Sequence, residues 1–346
     1  MPKGPDVRLA GRGAALTRTL ALQRLEGAAQ RWLGPQAAYP SHTRARWNSR
    51  WSGDSVGLPA GQDGRFITPT PYVGAGMGHQ VVTWCAGRVI ADVLGMRFAH
   101  TPVAEPWESH LNLAAGEVAA RDLRATARTV RLPLIGYESS PVFEVDHADL
   151  ARVAASYKPD PAIVFRLALD QSRYDVTSAG PALMEKYWLG RHHKLPSTQL
   201  RIAVHIRRGD VAAMRESGHE QWAERWLDLS YFEAVLSSID AVVGPRGRQV
   251  VVVSEGDPSD FSTLVRSFGA ELVLGGDPTA AFDRLVDSDV LVASPSGFSF
   301  IAGLVSGAIT LFPAPWWHAI PDEPRWIPVI HDLPSIELDL RDRLPD

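Results

Sequence analysis

The sequence predicts an α/β protein of two Rossmann-like domains facing a cleft. Three observations carry this. Short apolar runs alternate with helix-length stretches through the second half; a strand-like piece, a glycine cluster and a helical pattern open the first half; and 346 residues at roughly 150 per domain give a prior of about two domains. Short apolar strands separated by helices imply a parallel sheet covered on both faces.

Residues 1–65 read as an N-terminal extension, with a candidate helix from Leu16 to Leu33 and a polar, aromatic loop around Arg46-Trp47-Asn48-Ser49-Arg50-Trp51. The first domain is expected over 66–198. It starts with the strand Phe66-Ile67-Thr68, then the loop Gly74-Ala75-Gly76-Met77-Gly78, then a helix to Leu94. Apolar positions 81, 82, 85, 89 and 93 recur at helical spacing, and Gly95 stands where a C′ glycine belongs. The stretch 100–198 shows no regular period and ends in a polar run, Gly190 to Ser197, that suits an interdomain link. The second domain, 199–346, is regular. Strands are expected at Ile202–Ile206, Val250–Ser254, Glu271–Leu274, Val290–Ala293 and Ile309–Phe312, with helices near 230–242, 259–268, 279–286 and 298–306. Open sheets of this kind take ligands at the carboxyl ends of their strands.

Composition narrows the function. Lys+Arg 35 against Asp+Glu 39 gives a net charge of −4, which excludes a generally basic nucleic-acid binder. Cys85 is the one cysteine, so an intrachain disulfide and a cysteine zinc site are both excluded. No lysine follows Lys194, which leaves the second domain without a phosphate-loop or Schiff-base lysine. The N-terminal stretch has no uninterrupted apolar core of a secretory signal, and no apolar run approaches the roughly 20 residues of a membrane span. A cytoplasmic protein is the expectation. Tryptophan is over-represented, 11 against 7 tyrosines.

Several motifs fail on spacing. Gly74 and Gly76 are followed by His79 where a dinucleotide fingerprint requires glycine. What remains is either a tight strand-to-helix turn or a loop whose backbone N–H groups approach an anion at a helix N-terminus. His192-His193 has no metal-ligand spacing, and no G-x-S-x-G elbow occurs. The informative segment is Val204-His205-Ile206-Arg207-Arg208-Gly209-Asp210, where two arginines leave an apolar strand at its carboxyl end. This pattern fits a solvated ion-pair cluster or a diphosphate clamp built from planar donors that do not deprotonate.

His205-Ile206-Arg207-Arg208-Gly209-Asp210 resembles the H-x-R-R-x-D motif of the α1,2/α1,6/O-fucosyltransferase superfamily, its α1,2-fucosyltransferase-like branch (glycosyltransferase family 11 type) in particular. Further blocks resemble that family in the same order. Gly74 to Gln80, with Gly76, Gly78, His79 and Gln80, is similar to its G-x-G-N-Q opening, and Ala86-Gly87-Arg88 follows in the helix. Tyr231-Phe232-Glu233-Ala234 is similar to its next helix start, and Ser254-Glu255-Gly256-Asp257 to its S-D-D strand end. Asp287 to Phe300 is similar to its N-S-S-F-S-W-W block and Phe312 to Trp317 to its terminal A-P-x-x-W-F. The sequence departs at His79 for asparagine, at Gly256 between Glu255 and Asp257, and at Gly297 for serine.

The resemblance implies a GT-B fold, an acceptor-side first domain and a nucleotide-binding second one. It also implies inverting, metal-independent transfer of fucose from GDP-fucose to a hydroxyl of a glycan or glycosylated small molecule, with no cofactor. Arg207 and Arg208 would bind the diphosphate and His205 would lie near ribose or phosphate. Ser296 and Ser299, flanking Gly297 and Phe298, would donate to phosphates at a helix start, and Asp289 or a neighbour would read the guanine edge. Gly76, Gly78, His79, Gln80, Ser254 and Asp257 complete the expected substrate-binding set. Asp210, Glu216 and Glu220 are the candidate bases, Glu216 favoured by the α1,6 branch. Another nucleotide sugar on the same scaffold, or a non-catalytic sugar-binding relative, are the alternatives.

Overall fold

The computed structural model describes residues 64–71, 74–132, 150–151, 154–157, 162–167, 175–192, 197–218, 225–243, 247–316, 319–330 and 333–344. The expected helix at 16–33, Trp47, Trp51, His193, Glu220, Trp222 and Trp317 lie outside them. Both sheets belong to one contact unit, Leu58–Leu150 with Lys158–Asp346.

The first sheet has five strands, β1 (Arg65–Thr68), β2 (Arg97–His100), β3 (Val118–Ala119), β4 (Arg128–Arg131) and β5 (Ile163–Arg166), in the order β3-β2-β1-β5-β4. All its pairings are parallel. Helix α1 (Met77–Val93) leaves the carboxyl end of β1. The predicted apolar stripe faces inward through Val81, Val82, Cys85 and Val89, but Val93 in the last turn is half exposed. Short helix α2 (Trp107–His110) and helix α3 (Gly180–Trp188) complete this half.

The second sheet is the one the periodicity predicts, with one strand more. It runs β11-β10-β9-β6-β7-β8, all parallel, from β6 (Leu200–Ile206), β7 (Arg248–Ser254), β8 (Glu271–Leu274), β9 (Val290–Val292), β10 (Ile309–Pro313) and β11 (Trp326–Val329). Helices α4 (Gly209–Glu216), α5 (Leu229–Val243), α6 (Ser262–Phe268), α7 (Pro278–Val286), α8 (Gly297–Val305) and α9 (Leu333–Arg343) connect and cover it. Its core is Ile202, Val204, Val252 and Val292 of the strands against Phe232, Leu236 and Ile239 of α5. Burial of each such side chain contributes about 1.5–3 kcal/mol, enough to make the alternating apolar strands settle in register.

Topology then says where a ligand belongs. From β6 the chain winds one way through β7 and β8 and the other way through β9, β10 and β11, so the direction reverses between β6 and β9. In the first sheet it reverses between β1 and β5. Open α/β sheets bind ligands at the carboxyl ends beside such switch points. Two parallel α/β sheets joined in series are the architecture that the GT-B resemblance implies.

Candidate functional site

The two switch points meet. Helix α1 starts beyond β1 and helix α8 starts beyond β9, and their first turns touch through glycine: a Cβ added to Gly78 would stand 2.5 Å from the carbonyl carbon of Gly297 and 2.6 Å from its Cα. Only a residue without a side chain lets the two backbones come this close. Gly76, the residue that caps α1, has φ −62°, and a Cβ there would meet none of the described residues within 4 Å, so none of them requires glycine at this position. Two helix N-termini, each carrying unsatisfied N–H groups and partial positive charge, are thereby brought to one place.

Arg207 follows β6 into this place. Its backbone N–H donates to Ser294 Oγ (3.0 Å), and that hydroxyl donates to the carbonyl of His205 (2.6 Å). Ser294 therefore stitches the ends of β6 and β9 together across the switch point. The Arg207 guanidinium donates to Ser296 Oγ (3.3 Å) and, in a fork, to Asp210 (2.8 and 3.1 Å). Ser296 caps α8 by accepting from the backbone N–H of Phe298 (3.2 Å).

Arg208 is different. It is 9% exposed and has no carboxylate in ion-pair range among the described residues; one N–H donates to the Arg207 carbonyl (3.0 Å) and the guanidinium lies 3.8 Å from the ring centre of Trp226. Burial draws its pKa below the ordinary arginine range, with Asp228 and Asp260 acting to raise it and Arg215 to lower it. His205 is 8% exposed, lies tilted against Phe298 with ring centres 5.3 Å apart, and its Nδ1 has no hydrogen-bond partner among the described residues. Burial, with Arg207 alongside, pushes its pKa down to about 3, so the ring is neutral.

Behind Phe298 lies an aromatic cluster. Phe298 meets Trp107 and Phe282 edge-on, at 5.8 and 5.5 Å, and Asp283 accepts from His110 (2.8 Å) and the Tyr187 hydroxyl (2.7 Å). Burial alone would raise Asp283, but those two hydrogen bonds, with the charges of His110 and Arg191, more than offset it and hold the carboxyl below its usual range. The cluster fixes α2 and α3 of the first half against α7 and α8 of the second. Sequence reasoning missed this set, as it missed Ser294 and the pairing of Trp226 with Arg208. Trp226 itself lies just ahead of α5 rather than on a helix.

The expected site residues thus divide. Arg207, Arg208, His205, Asp210, Ser296, Gly297, Phe298, Gly76 and Gly78 come together, and partly buried His79 sits in the first turn of α1. Asp289 does not join them. It precedes β9, at the amino end of the sheet, where it accepts from the backbone N–H (2.8 Å) and guanidinium of Arg201. Nearness in sequence to the Ser294–Phe300 block hid that a whole strand separates the two ends. Ser299 also needs correcting: it is fully buried, and its hydroxyl donates back to the carbonyls of Ser294 (3.0 Å) and Ser296 (3.3 Å). Gln80 braces loops, donating to the Ala75 carbonyl (2.6 Å) and accepting from Ala104 N–H (2.9 Å).

Ser254 sits at the end of β7 and donates to the Ile206 carbonyl (2.6 Å), a strand-end tie. Asp257 is an exposed cap whose pKa is lowered by the hydroxyl and backbone N–H of Ser259. Glu216 is exposed at the far end of α4. At about 1.5 Å per residue it lies roughly 10 Å along the axis from Gly209.

No family model and no curated protein matches the chain. Among solved structures the chain is similar to POFUT1 in complex with GDP (13% identity, 72% of this chain and 98% of that one, TM-score 0.43). It is also similar to the E. coli heptosyltransferase WaaC with an ADP-heptose analogue (12%, 81% and 99%, 0.42) and to the fucosyltransferase NodZ from Bradyrhizobium (13%, 70% and 93%, 0.36). At TM-scores below 0.5 these overlaps carry no argument, and the fold rests on the chain's own topology.

Proposed function

We propose that the protein is an inverting, metal-independent glycosyltransferase that binds the diphosphate of a nucleotide sugar where the N-termini of α1 and α8 meet. The observation that carries this is the Arg207 guanidinium, placed by a switch-point strand and held on the cap of α8. Cation, helix-terminus N–H groups and switch point all favour one ligand chemistry, a bound anion with several oxygens. The family resemblance of the arginine segment names the donor as GDP-fucose.

In the reaction the acceptor hydroxyl attacks the anomeric carbon from the face opposite the leaving group. The bond from that carbon to the diphosphate oxygen breaks, and its electron pair goes to the β-phosphate. Arg208, already placed, and Arg207, once it has left Asp210 for the diphosphate, stabilise that charge. Asp210 is the candidate to take the acceptor proton once the diphosphate draws Arg207 off its carboxylate. A second reading, another nucleotide sugar on the same cradle, is favoured by Asp289, since the residue expected to read guanine stands at the wrong end of the sheet.

Calorimetric titration with GDP, UDP and ADP, followed by transfer assays with the matching sugars, tests both. GDP binding and GDP-fucose turnover are expected, with Arg207→Ala losing at least tenfold in affinity at an unchanged unfolding midpoint. Preference for UDP or ADP replaces the donor. Binding of none of the three, or an Arg207→Ala variant with wild-type affinity and turnover, overturns the proposal.

A further inference from the structure

Arg208 is a buried cation with no carboxylate in ion-pair range among the described residues, Asp228 and Asp260 acting on it only from further off, while Arg207 beside it is forked onto Asp210. Burying a charge without a counter-ion is costly, so something else must hold it in place. The contact that does so is the indole of Trp226, 3.8 Å from the guanidinium carbon. Arg215 lies over the same ring at 4.5 Å. The indole is itself fixed, its N–H donating to Asp228 (2.9 Å), whose carboxylate also lies 3.7 Å from the Arg215 guanidinium.

The arrangement sets the cation against a π-face while only one of its N–H groups, the one donating to the Arg207 carbonyl, has a hydrogen-bond partner among the described residues. Stacking of this kind contributes about 0.5–2 kcal/mol without satisfying a single N–H donor. A carboxylate in the same position would attract the cation more strongly but would occupy the donors and cancel the charge. The fold thus retains an arginine whose position is set and whose hydrogen-bonding capacity is left for a ligand.

Resting on the diphosphate reading above, we propose that Trp226 is a positioning residue: with its N–H anchored on Asp228, the indole holds Arg208, a cation without a direct carboxylate pair, toward the leaving diphosphate. Arg207 and Arg208 then have separate parts. Arg207 must exchange Asp210 for the ligand, whereas Arg208 meets the ligand already oriented.

The test is a double-mutant cycle on the full-length protein, reading GDP affinity by calorimetry and kcat and KM of transfer. Trp226→Leu, which keeps bulk but removes the π-face, is expected to weaken GDP about tenfold and lower kcat. Trp226→Phe should stay within about twofold of wild type. Arg208→Lys, which keeps charge but not the flat stack, should resemble Trp226→Leu. The decisive combination is Trp226→Leu with Arg208→Ala, which should be no worse than Arg208→Ala alone, because the tryptophan acts through the arginine.

Additive losses in the double variant, or a Trp226→Leu protein with wild-type affinity and kcat, overturn the inference. Should Trp226→Leu fail to fold, Trp226→Phe and Arg208→Lys decide: a tenfold loss in the first or none in the second contradicts it. If wild type binds no nucleoside diphosphate, the diphosphate reading itself fails, an outcome distinct from both.

Discussion

Replacing Gly78 with alanine should damage the protein, although alanine is the better helix former by about 1 kcal/mol. The added methyl would stand 2.5 Å from the carbonyl carbon of Gly297, where ordinary contact begins at 3.4 Å, so α1 and α8 must separate by about 0.9 Å. The obstacle is backbone on the α8 side, so no side-chain rotation relieves it. Over-packing of this size costs roughly 1–3 kcal/mol. It also moves the Ser296 cap relative to α1, and a misplacement near 1 Å lowers turnover by up to about 100-fold. Thermal unfolding and nucleotide-sugar turnover are the assays. Gly76→Ala is the control two residues away, where a Cβ meets nothing and φ is ordinary, and it should match wild type in both. A Gly78→Ala protein as stable and active as wild type, or a Gly76→Ala protein equally impaired, refutes the reasoning.

Ser299→Ala should lower stability by about 1 kcal/mol by leaving the Ser294 and Ser296 carbonyls short of a donor, with nucleotide affinity changed less than threefold; a selective tenfold affinity loss would restore it as a phosphate donor. Gly209→Ala should cost about 1–2 kcal/mol, since φ is +37° and the new Cβ would fall on the Glu255 carboxylate, and adding Glu255→Ala should recover only the steric part. His205 titrates near 3 in the folded protein against 6.5 ordinarily, so its contribution to stability is complete above pH 6.5 and is lost as pH falls toward 3. In His205→Gln the unfolding midpoint should fall less steeply over that range, and nucleotide binding by wild type should show no His205 step near pH 6.5.

Five strands of the second sheet were legible because each is an apolar run bounded by turns; β11, Trp-Ile-Pro-Val, was not. Nor was the neighbouring sheet: β3 is two residues long, and β4, Arg-Thr-Val-Arg, buries only Val130. Such strands are defined by their pairing partners, which no local period reveals. In the site, Arg207 and Ser296 could be read because a strand end and a helix cap announce themselves in sequence. Trp226 could not be tied to Arg208, since it stands eighteen residues further along the chain and only the fold brings the two together. Asp289 failed for a geometric reason, because a motif block that brackets a strand places its first residues at the end opposite its last.

The most direct test of the account is a crystal structure of the protein with GDP. The diphosphate should lie at the start of α8, with Arg207 turned from Asp210 onto a phosphate oxygen and Arg208 donating to the diphosphate while still stacked on Trp226. GDP bound elsewhere, or its phosphates out of reach of both arginines, would contradict it.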